Sequence, residues 1–574
     1  KGAGSVASNT VVGNAAFDAN TTGAQNVAIG GNSLTENTTG NNNTAVGSDA
    51  LASNTTATKN TALGRTALYT NTTGGQNVAI GMGALYTSNA SNNTGVGYYA
   101  LLSNTTGASN TAVGALALDA NTTASYNTAV GYVSLGGNTT GTENTAVGRN
   151  SLESNTTGSY NTAVGAQALD DNNANNNTAV GYRTLYLNST GTSNTAVGAN
   201  ALDANTTASF NTAVGHEALT ANTTGGYNTA VGHLALDANT TGAANVALGN
   251  SALGANTTAN DNTSIGVSSL ENNTTGASNV AVGRYALNAN TTASENTAVG
   301  YAALLSNTTG ASNTAVGFGA LDANTTASDN VAVGRAALGA NTTGTPNTAV
   351  GKDALGLNTT GDNNCAFGLG AAYNTTTGDR NVALGRDALQ ANTTGSSNVV
   401  IGCYAGDAYT GSSGNVFIGD SAATNGTSGG NNVVIGNSAG TDAVFNMGGS
   451  ADRIVIGNNS NTNAYIKIDW TVTSDKRDKI EDGTVSHGLD FVNKLTPRSF
   501  WFRKDRDSDE KVGQKRYGFF AQDILELEGS DNVIIDNDDL ENLKYKGEHL
   551  VPILVNAIKE LSAEVEQLKS QLNN

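Results

Sequence analysis

The pattern of apolar and polar positions is set by one sequence motif, or phrase, that recurs every 17 residues along most of the chain. The phrase is Asn-Thr/Val-Ala-Val/Ile-Gly, followed after two residues by Ala-Leu and, in most units, by an Asn-Thr-Thr turn. It begins 26 times between Asn9 and Asn432. A short fixed period of this kind indicates a solenoid, in which each unit forms one rung and stacks on the next.

Two units are one residue shorter than the others. They run from Asn77 to Asn93 and from Asn161 to Asn177, and neither contains the Asn-Thr-Thr turn. The missing residue therefore falls in a turn, where a solenoid can absorb a deletion.

Within a unit, the second and fourth positions alternate with the third as in a β-strand. Val78 and Ile80 are predicted to share one face, and the Ala between them keeps the opposite face small. Ala50-Leu51 is predicted to be a second short extended segment. Gly47 marks the corner before it, and Asn54–Thr56 the turn after it.

Rungs of this composition predict parallel, in-register stacking at about 4.8 Å, which gives a rod on the order of 120 Å long. One rung contributes few apolar side chains, so its core is thin. We expect the small Ala face to let neighbouring chains approach closely, with three chains around an axis. The predicted fold is mainly β: a trimeric parallel β-roll of about 26 repeats, then a small α+β domain that ends in a trimeric coiled-coil helix.

The repeated Asn-Thr-Thr allows three interpretations. It matches the acceptor pattern for N-glycosylation, and Asn-rich turns could bind calcium. Stacked Asn and Thr side chains can also form hydrogen-bonded ladders along the rod. We favour the ladder, and we predict no metal and no cofactor, since the calcium-binding Gly-Gly-x-Gly-x-Asp repeat is absent from the sequence.

Charge is unevenly distributed along the chain. The net charge of −19 argues against nucleic acid or an anionic membrane as a partner, and no apolar run is long enough for membrane insertion. From Ser474 onward there are 21 acidic and 15 basic residues, and 25 and 12 before it. We therefore predict a repeat shaft at 1–436, a cap and neck at 437–473, an α+β core at 474–549, and a coiled-coil helix at 550–574. A strand is expected in the neck at Ala464–Trp470.

The end of the chain carries a heptad pattern of apolar residues. Its members step alternately by three and four residues, with charged residues between them, which predicts the buried seam of a coiled coil. A mixture of Ile, Val and Leu at these positions permits a trimer. The seam consists of Val551, Leu554, Ile558, Leu561, Val565, Leu568 and Leu572.

The repeat block resembles the left-handed β-roll heads of trimeric autotransporter adhesins, whose units carry a similar Asn-x-Val-Ala-Ile-Gly phrase. Asn26–Gly30 and Asn77–Gly81 match it closely, and the resemblance covers about Asn9 to Gly457. It implies a trimeric, extracellular adhesive rod.

Three motifs follow one another in the C-terminal segment: Ser-Asp-x-Arg-x-Lys, Gly-x-x-Ala-Gln and Ala-Ile-Lys-Glu-Leu. They lie at Ser474–Lys479, at Gly518, Ala521 and Gln522, and at Ala557–Leu561. With them the segment resembles the C-terminal intramolecular chaperone of endosialidase-type phage tailspikes and tail fibres. The resemblance implies a domain that trimerises, nucleates folding of the β-rich stem before it, and then cuts itself off at the serine.

The resemblance assigns self-cleavage to a serine–lysine dyad. Ser474 would be the nucleophile, cutting at Ser474-Asp475, and Lys479 the base that takes its proton. Asp475 and Arg477 would hold the geometry. On residue types alone, a serine near a lysine in a charged segment is usually part of a solvated loop.

The leading hypothesis is a homotrimeric virus tail fibre that attaches to a host-surface receptor, either a glycan or a protein. An alternative with the same architecture is a microbial cell-surface adhesin or extracellular filament. A polysaccharide-degrading tailspike would need a pair of carboxylates. The sequence offers acids such as Asp170-Asp171 and Glu217, but nothing marks a pair.

Overall fold

A computed structural model describes residues 8–441, 446–458, 460–461, 465, 474–503, 506–530, 532–537, 540–541 and 543–573. Two units make up the chain, Lys1–Arg380 and Asn381–Asn574, and each is described on its own. The strand predicted at Ala464–Trp470 lies outside the described residues, apart from Tyr465.

In the first unit each rung contains one strand of three residues. In chain order, strands β1 to β22 are Thr10–Val12, Val27–Ile29, Thr44–Val46, Thr61–Leu63, Val78–Ile80, Thr94–Val96, Thr111–Val113, Thr128–Val130, Thr145–Val147, Thr162–Val164, Thr178–Val180, Thr195–Val197, Thr212–Val214, Thr229–Val231, Val246–Leu248, Thr263–Ile265, Val280–Val282, Thr297–Val299, Thr314–Val316, Val331–Val333, Thr348–Val350 and Cys365–Phe367. Neighbouring strands pair in parallel and in register: Thr44 lies opposite Thr61, and Ala45 opposite Ala62. The predicted parallel β-solenoid is confirmed.

The inward face of the strands is the alanine face, and this corrects one prediction. Ala45 is completely buried inside the roll, whereas Thr44 and Val46 on either side are half-exposed. The interior takes only a methyl group there because leucine from the turn fills it. At Gly95, an added Cβ would lie 3.3 Å from Leu85 Cγ of the preceding rung. The small face is therefore core and cannot be the surface where chains meet.

The Ala-Leu pair is not a second extended segment, as we had predicted. Asp49 and Leu51 have φ angles of 59° and 51°, in the left-handed region. Their amides point to opposite neighbours: Asp49 donates to Gly31 O at 2.9 Å and Leu51 to Ala67 O at 2.9 Å. Hydrogen bonds to both adjacent rungs hold this costly backbone in place.

Glycine is required at the corner that follows each strand. Gly47 has φ 137°, and a Cβ added there would lie 2.5 Å from Gly64 O of the next rung. A side chain would therefore separate the rungs, and the corner predicted from the sequence is confirmed.

Buried asparagines form ladders on the inside of the solenoid. Asn43 Oδ1 accepts from the Asn60 amide at 3.0 Å, and Asn43 Nδ2 donates to Ala57 O at 2.9 Å. In a second column, Asn54 Nδ2 donates to Asn37 Oδ1 at 2.6 Å. Asn54 is completely buried, so its amide is not accessible for glycosylation in the folded solenoid. The ladder interpretation is confirmed.

In the two short rungs an asparagine side chain replaces the missing backbone. Asn89 Oδ1 accepts from the amides of Thr72 and Thr73 at 3.0 and 2.9 Å. In a full rung, the carbonyl of Thr72 itself receives the equivalent pair from Thr55 and Thr56. The deletion therefore costs no backbone hydrogen bond at this turn. It does interrupt the asparagine ladder, because Asn71 Oδ1 and Asn155 Oδ1, which precede the two short rungs, are buried without a hydrogen-bond partner.

The second unit begins with five more strands that pair in parallel and in register. These strands, β23 to β27, are Val382–Leu384, Val399–Ile401, Val416–Ile418, Val433–Ile435 and Ile454–Ile456. At one place in this unit the large apolar side chain lies on the strand instead of in the turn. Phe417 occupies the inward strand position, and Gly406 replaces the usual turn leucine; a Cβ at Gly406 would lie 2.6 Å from the Phe417 ring.

A small α+β fold follows. Its elements are a 3-10 turn Lys476–Asp478, α1 Leu489–Lys494, β28 Arg498–Arg503, β29 Lys511–Gly518, α2 Ala521–Glu528, β30 Ile535–Asp536, β31 Lys544–Tyr545, a 3-10 turn Gly547–His549, and α3 Leu550–Leu572. The antiparallel pairs are β28–β29 and β30–β31. The core consists of Phe491, Ile524, Ile534, Ile535, Leu550 and Ile553.

The buried carboxylate of Glu528 organises this core. It accepts hydrogen bonds from the amides of Val533, Ile534 and Ile535 at 2.9, 2.5 and 3.0 Å. The end of α2 is thereby connected to β30.

Candidate functional site

One 3-10 turn brings the predicted dyad together. Asp475 begins the turn, and its side chain accepts from the Arg477 amide at 2.9 Å. Lys479 ends the turn, with its amide bonded to Lys476 O at 3.3 Å. The lysine side chain then folds back, and Lys479 Nζ donates to Ser474 Oγ at 2.6 Å. The two groups named for catalysis are in direct contact, and their catalytic role stays a prediction.

Asp475 and Arg477 form the frame of this turn. Arg477 Nε donates to both carboxylate oxygens of Asp475, at 3.1 and 3.0 Å. These hydrogen bonds lower the pKa of Asp475 and raise that of Arg477. Because the aspartate is held as an anion by its neighbour, it can fix the turn but cannot easily serve as a proton donor.

In the single chain this site is open to solvent. Ser474, Asp478 and Lys479 are exposed, and the side chain of Ile480 is 98% exposed. A lysine acts as a base only when it is neutral, and burial favours that form. An apolar side chain standing in water beside the dyad is suited to packing against another surface.

The residues of the central motif belong to the small fold. Gly518 ends β29, where an added Cβ would lie 3.1 Å from Phe500 Cε1. Ala521 begins α2 and packs against the apolar core. Gln522 is exposed. Packing explains two of these three positions.

Helix α3 has two different apolar faces. Leu550, Ile553 and Ala557 are buried in the fold at 5%, 4% and 4% exposure. The predicted seam is on the outside, and all of its members are exposed. Their exposed fractions are Val551 57%, Leu554 38%, Ile558 65%, Leu561 48%, Val565 39%, Leu568 57% and Leu572 84%.

Sequence reasoning missed the contacts that anchor α3. Glu560 Oε2 accepts from the Leu489 amide at 2.6 Å, at the N-terminus of α1, where a negative charge is favoured. Asn556 Nδ2 donates to His487 O at 3.0 Å and to Glu560 Oε1 at 3.2 Å. The spacing of four residues, which places Asn556 and Glu560 on one helix face, is the signal that could have revealed this pair.

The acids considered for polysaccharide hydrolysis lie at repeat positions of the solenoid, and Asp170 shares its position with acids of other rungs. Burial, with Glu153 and Asp171 nearby, raises the pKa of Asp170 to about 6. Burial also raises the pKa of the acids at the same position of other rungs, Asp119, Asp203, Asp237, Asp322 and Asp407. The shift at Asp170 therefore follows from its place in the rung and does not identify a catalytic acid.

Neither the models of known protein families nor the curated proteins gave a match to this chain. Within the described residues there is no group of three or more His, Cys, Asp or Glu arranged to hold a metal ion. Nor does any described helix have the length and apolar character needed to cross a membrane.

Proposed function

We propose that the chain is a homotrimeric fibre protein for attachment to a host surface, of the kind found in virus tail fibres. In this proposal the solenoid is the shaft and the C-terminal segment is its assembly domain. The exposed seam of α3 carries the proposal. A 23-residue helix that is anchored on one face and presents Val, Ile and Leu at heptad spacing on the other is suited to a coiled coil with copies of itself.

The solenoid offers a second surface for the same assembly. Its outward strand positions form continuous columns of threonine and aliphatic residues, with Leu63, Val130 and Leu248 exposed at 46%, 36% and 45%. The proposed contact between copies in the shaft uses these columns and replaces the alanine face of the original prediction.

The assembly proposal is tested by the mass of the particle in solution. Ile558 is 65% exposed in the middle of the seam, and Ile558→Asp places a charge where the helices would meet. We expect a trimer for the native chain and a monomer for Ile558→Asp in light scattering coupled to gel filtration. Glu564→Ala, off the seam on the same helix, is the control and should stay trimeric. A monomeric native chain contradicts the proposal.

We further propose that the C-terminal segment can release itself. Lys479 Nζ, in its neutral form, would take the Ser474 hydroxyl proton while Oγ attacks the carbonyl carbon of residue 473. The bond that breaks is therefore the one directly before Ser474, because attack by Oγ on the serine's own carbonyl, which a cut after Ser474 needs, would close a strained four-membered ring. The peptide C–N bond then breaks, the proton passes to the departing amine, and water hydrolyses the ester that remains. The 2.6 Å contact between Nζ and Oγ supports this step, and covering the exposed dyad in a trimer would supply the desolvation it needs.

A microbial adhesin or extracellular filament with the same architecture remains the second candidate. The adhesin-like phrase of Asn26–Gly30 favours it. Cleavage at Ser474 distinguishes the two candidates. It favours the tail fibre, because an adhesin that keeps its C-terminal segment has no use for this cleavage.

A further inference from the structure

One group of exposed side chains on the shaft differs from the ladders around it. It follows the corner glycines of consecutive rungs and consists of Tyr301, Phe318, Arg335 and Lys352, all exposed. The strands before them pair in register. The four side chains therefore project from the same backbone position at intervals of about 4.8 Å.

The aromatic stack ends at Phe318. Tyr301 stacks on Phe318, with ring centroids 5.2 Å apart and planes at 11°, and Tyr285 meets Tyr301 edge-on at 6.1 Å. Tyr301 thus covers one face of the Phe318 ring. The ring is nevertheless 58% exposed, and the next side chain in the column is a cation, Arg335, instead of another aromatic ring.

The position after Phe318 carries no side chain and lies near an acceptor. The next position is Gly319, and the equivalent residues of the neighbouring rungs are Ala302 and Ala336. A Cβ built on Gly319 would have only the Asp322 carboxylate within 4 Å, with Oδ2 at 3.8 Å. Gly319 is itself buried, and its lack of a side chain leaves the exposed Phe318 ring and the half-buried Asp322 carboxylate on the same part of the rung.

These features match the needs of a saccharide. A sugar presents apolar C–H groups to an aromatic face and hydroxyl donors to a carboxylate. We propose that Phe318, Asp322, Arg335 and Lys352 form a binding site for an acidic saccharide of a host-surface glycan. The sugar ring stacks on Phe318, its hydroxyls donate to Asp322, and its carboxylate accepts from Arg335 and Lys352.

The net charge of −19 does not oppose this site. Charges farther away than about 8 Å are screened at physiological ionic strength, so the nearby groups decide. Among these, Lys352 Nζ lies 3.6 Å from Asp353 Oδ2 and would exchange this partner for the saccharide carboxylate. Phe318 also lies beyond the corner at Gly317, outside the strand columns that we propose to face another copy. The inference rests on the proposed role in surface attachment and gives that role a ligand class and a location.

The test is direct binding of the full chain to immobilised alginate and hyaluronan oligosaccharides, with dextran as the neutral probe. We expect salt-sensitive binding to at least one acidic probe and none to dextran. Phe318→Ala and Arg335→Ala should each weaken binding about tenfold, the loss expected for one central contact. The control is Tyr182→Ala, because Tyr182 has the same backbone position and 50% exposure, but Ala199 follows it in the next rung. It should bind as the native chain does.

Three results overturn the inference: no binding to either acidic probe, equal binding to dextran, or native affinity in Phe318→Ala. Light scattering on the same sample separates this inference from the proposed function. If the chain is a trimer but does not bind, the saccharide site is wrong and the fibre proposal stands. If the chain binds as a monomer, the saccharide site stands and the fibre proposal is wrong.

Discussion

Replacing one buried ladder asparagine should open the solenoid locally. Asn222 is completely buried. Its Nδ2 donates to Asn205 Oδ1 and Gly225 O, both at 3.0 Å, and its Oδ1 accepts from Asn239 Nδ2 at 2.9 Å. Asn222→Ala removes all three bonds and leaves Asn205 Oδ1 without this donor. At about 1 kcal/mol for each bond and a further ~1 kcal/mol for the abandoned acceptor, we expect a loss of about 3–4 kcal/mol.

Stability in a solenoid is a sum over rungs and their neighbours, so this loss should be local. Hydrogen exchange followed by mass spectrometry resolves it, because amides in the affected rungs report the free energy of local opening. A loss of 3 kcal/mol corresponds to roughly a hundredfold faster exchange. We expect this acceleration in peptides that cover the rungs of Asn205, Asn222 and Asn239, and little change several rungs away.

Two variants sharpen the experiment. Asn222→Ser should lose about half as much, because Ser88 occupies this column naturally and accepts from Asn104 Nδ2 at 3.1 Å. Asn250→Ala removes an exposed asparagine and should be nearly silent. Exchange in Asn222→Ala that rises less than about threefold, or equally along the whole shaft, would refute the ladder as the source of rung stability.

Two further predictions concern core packing and pH. Phe417→Ala should destabilise the rungs of the second unit by about 3–5 kcal/mol, and adding Gly406→Leu should restore much of it by recreating the usual rung; thermal unfolding that shows no recovery in the double variant would contradict the volume exchange. The pKa of Asp170 is raised from 3.8 to about 6, so the folded chain favours the protonated carboxyl. The stability that this protonation contributes is complete below pH 3.8 and is lost as the pH rises through about 6. Asp170→Asn should therefore raise the melting temperature at pH 7.5 but not at pH 3.5, and an equal effect at both values would contradict this sign.

The sequence predicted the repeat, its strand, its corner glycine and its ladders because these features recur in nearly every unit. It misled us about which strand face is inside. Alternation of Ala45 with Thr44 and Val46 defines two faces but does not say which is core. That choice depends on the left-handed turn at Leu51, which sends leucine inward and leaves room only for a methyl group.

At the C-terminus the heptad seam was readable because its spacing is independent of the rest of the fold. The anchoring of α3 was not readable, because Glu560 meets the Leu489 amide across 71 residues of sequence. The dyad was assigned by resemblance alone. Its short contact depends on the 3-10 turn that Asp475 and Arg477 stabilise, and residue types do not reveal such a turn.

The central claim is a fibre whose C-terminal assembly domain cuts itself off at Ser474. Intact mass under denaturing conditions tests it most directly, for freshly expressed native chain beside Ser474→Ala and Lys479→Ala, with Lys476→Ala as the control for a nearby lysine. The account predicts two fragments that meet at Ser474 for the native chain and Lys476→Ala, and one uncut chain for the other two. A native chain that stays whole as an assembled trimer, or a Ser474→Ala chain that still splits there, would contradict it.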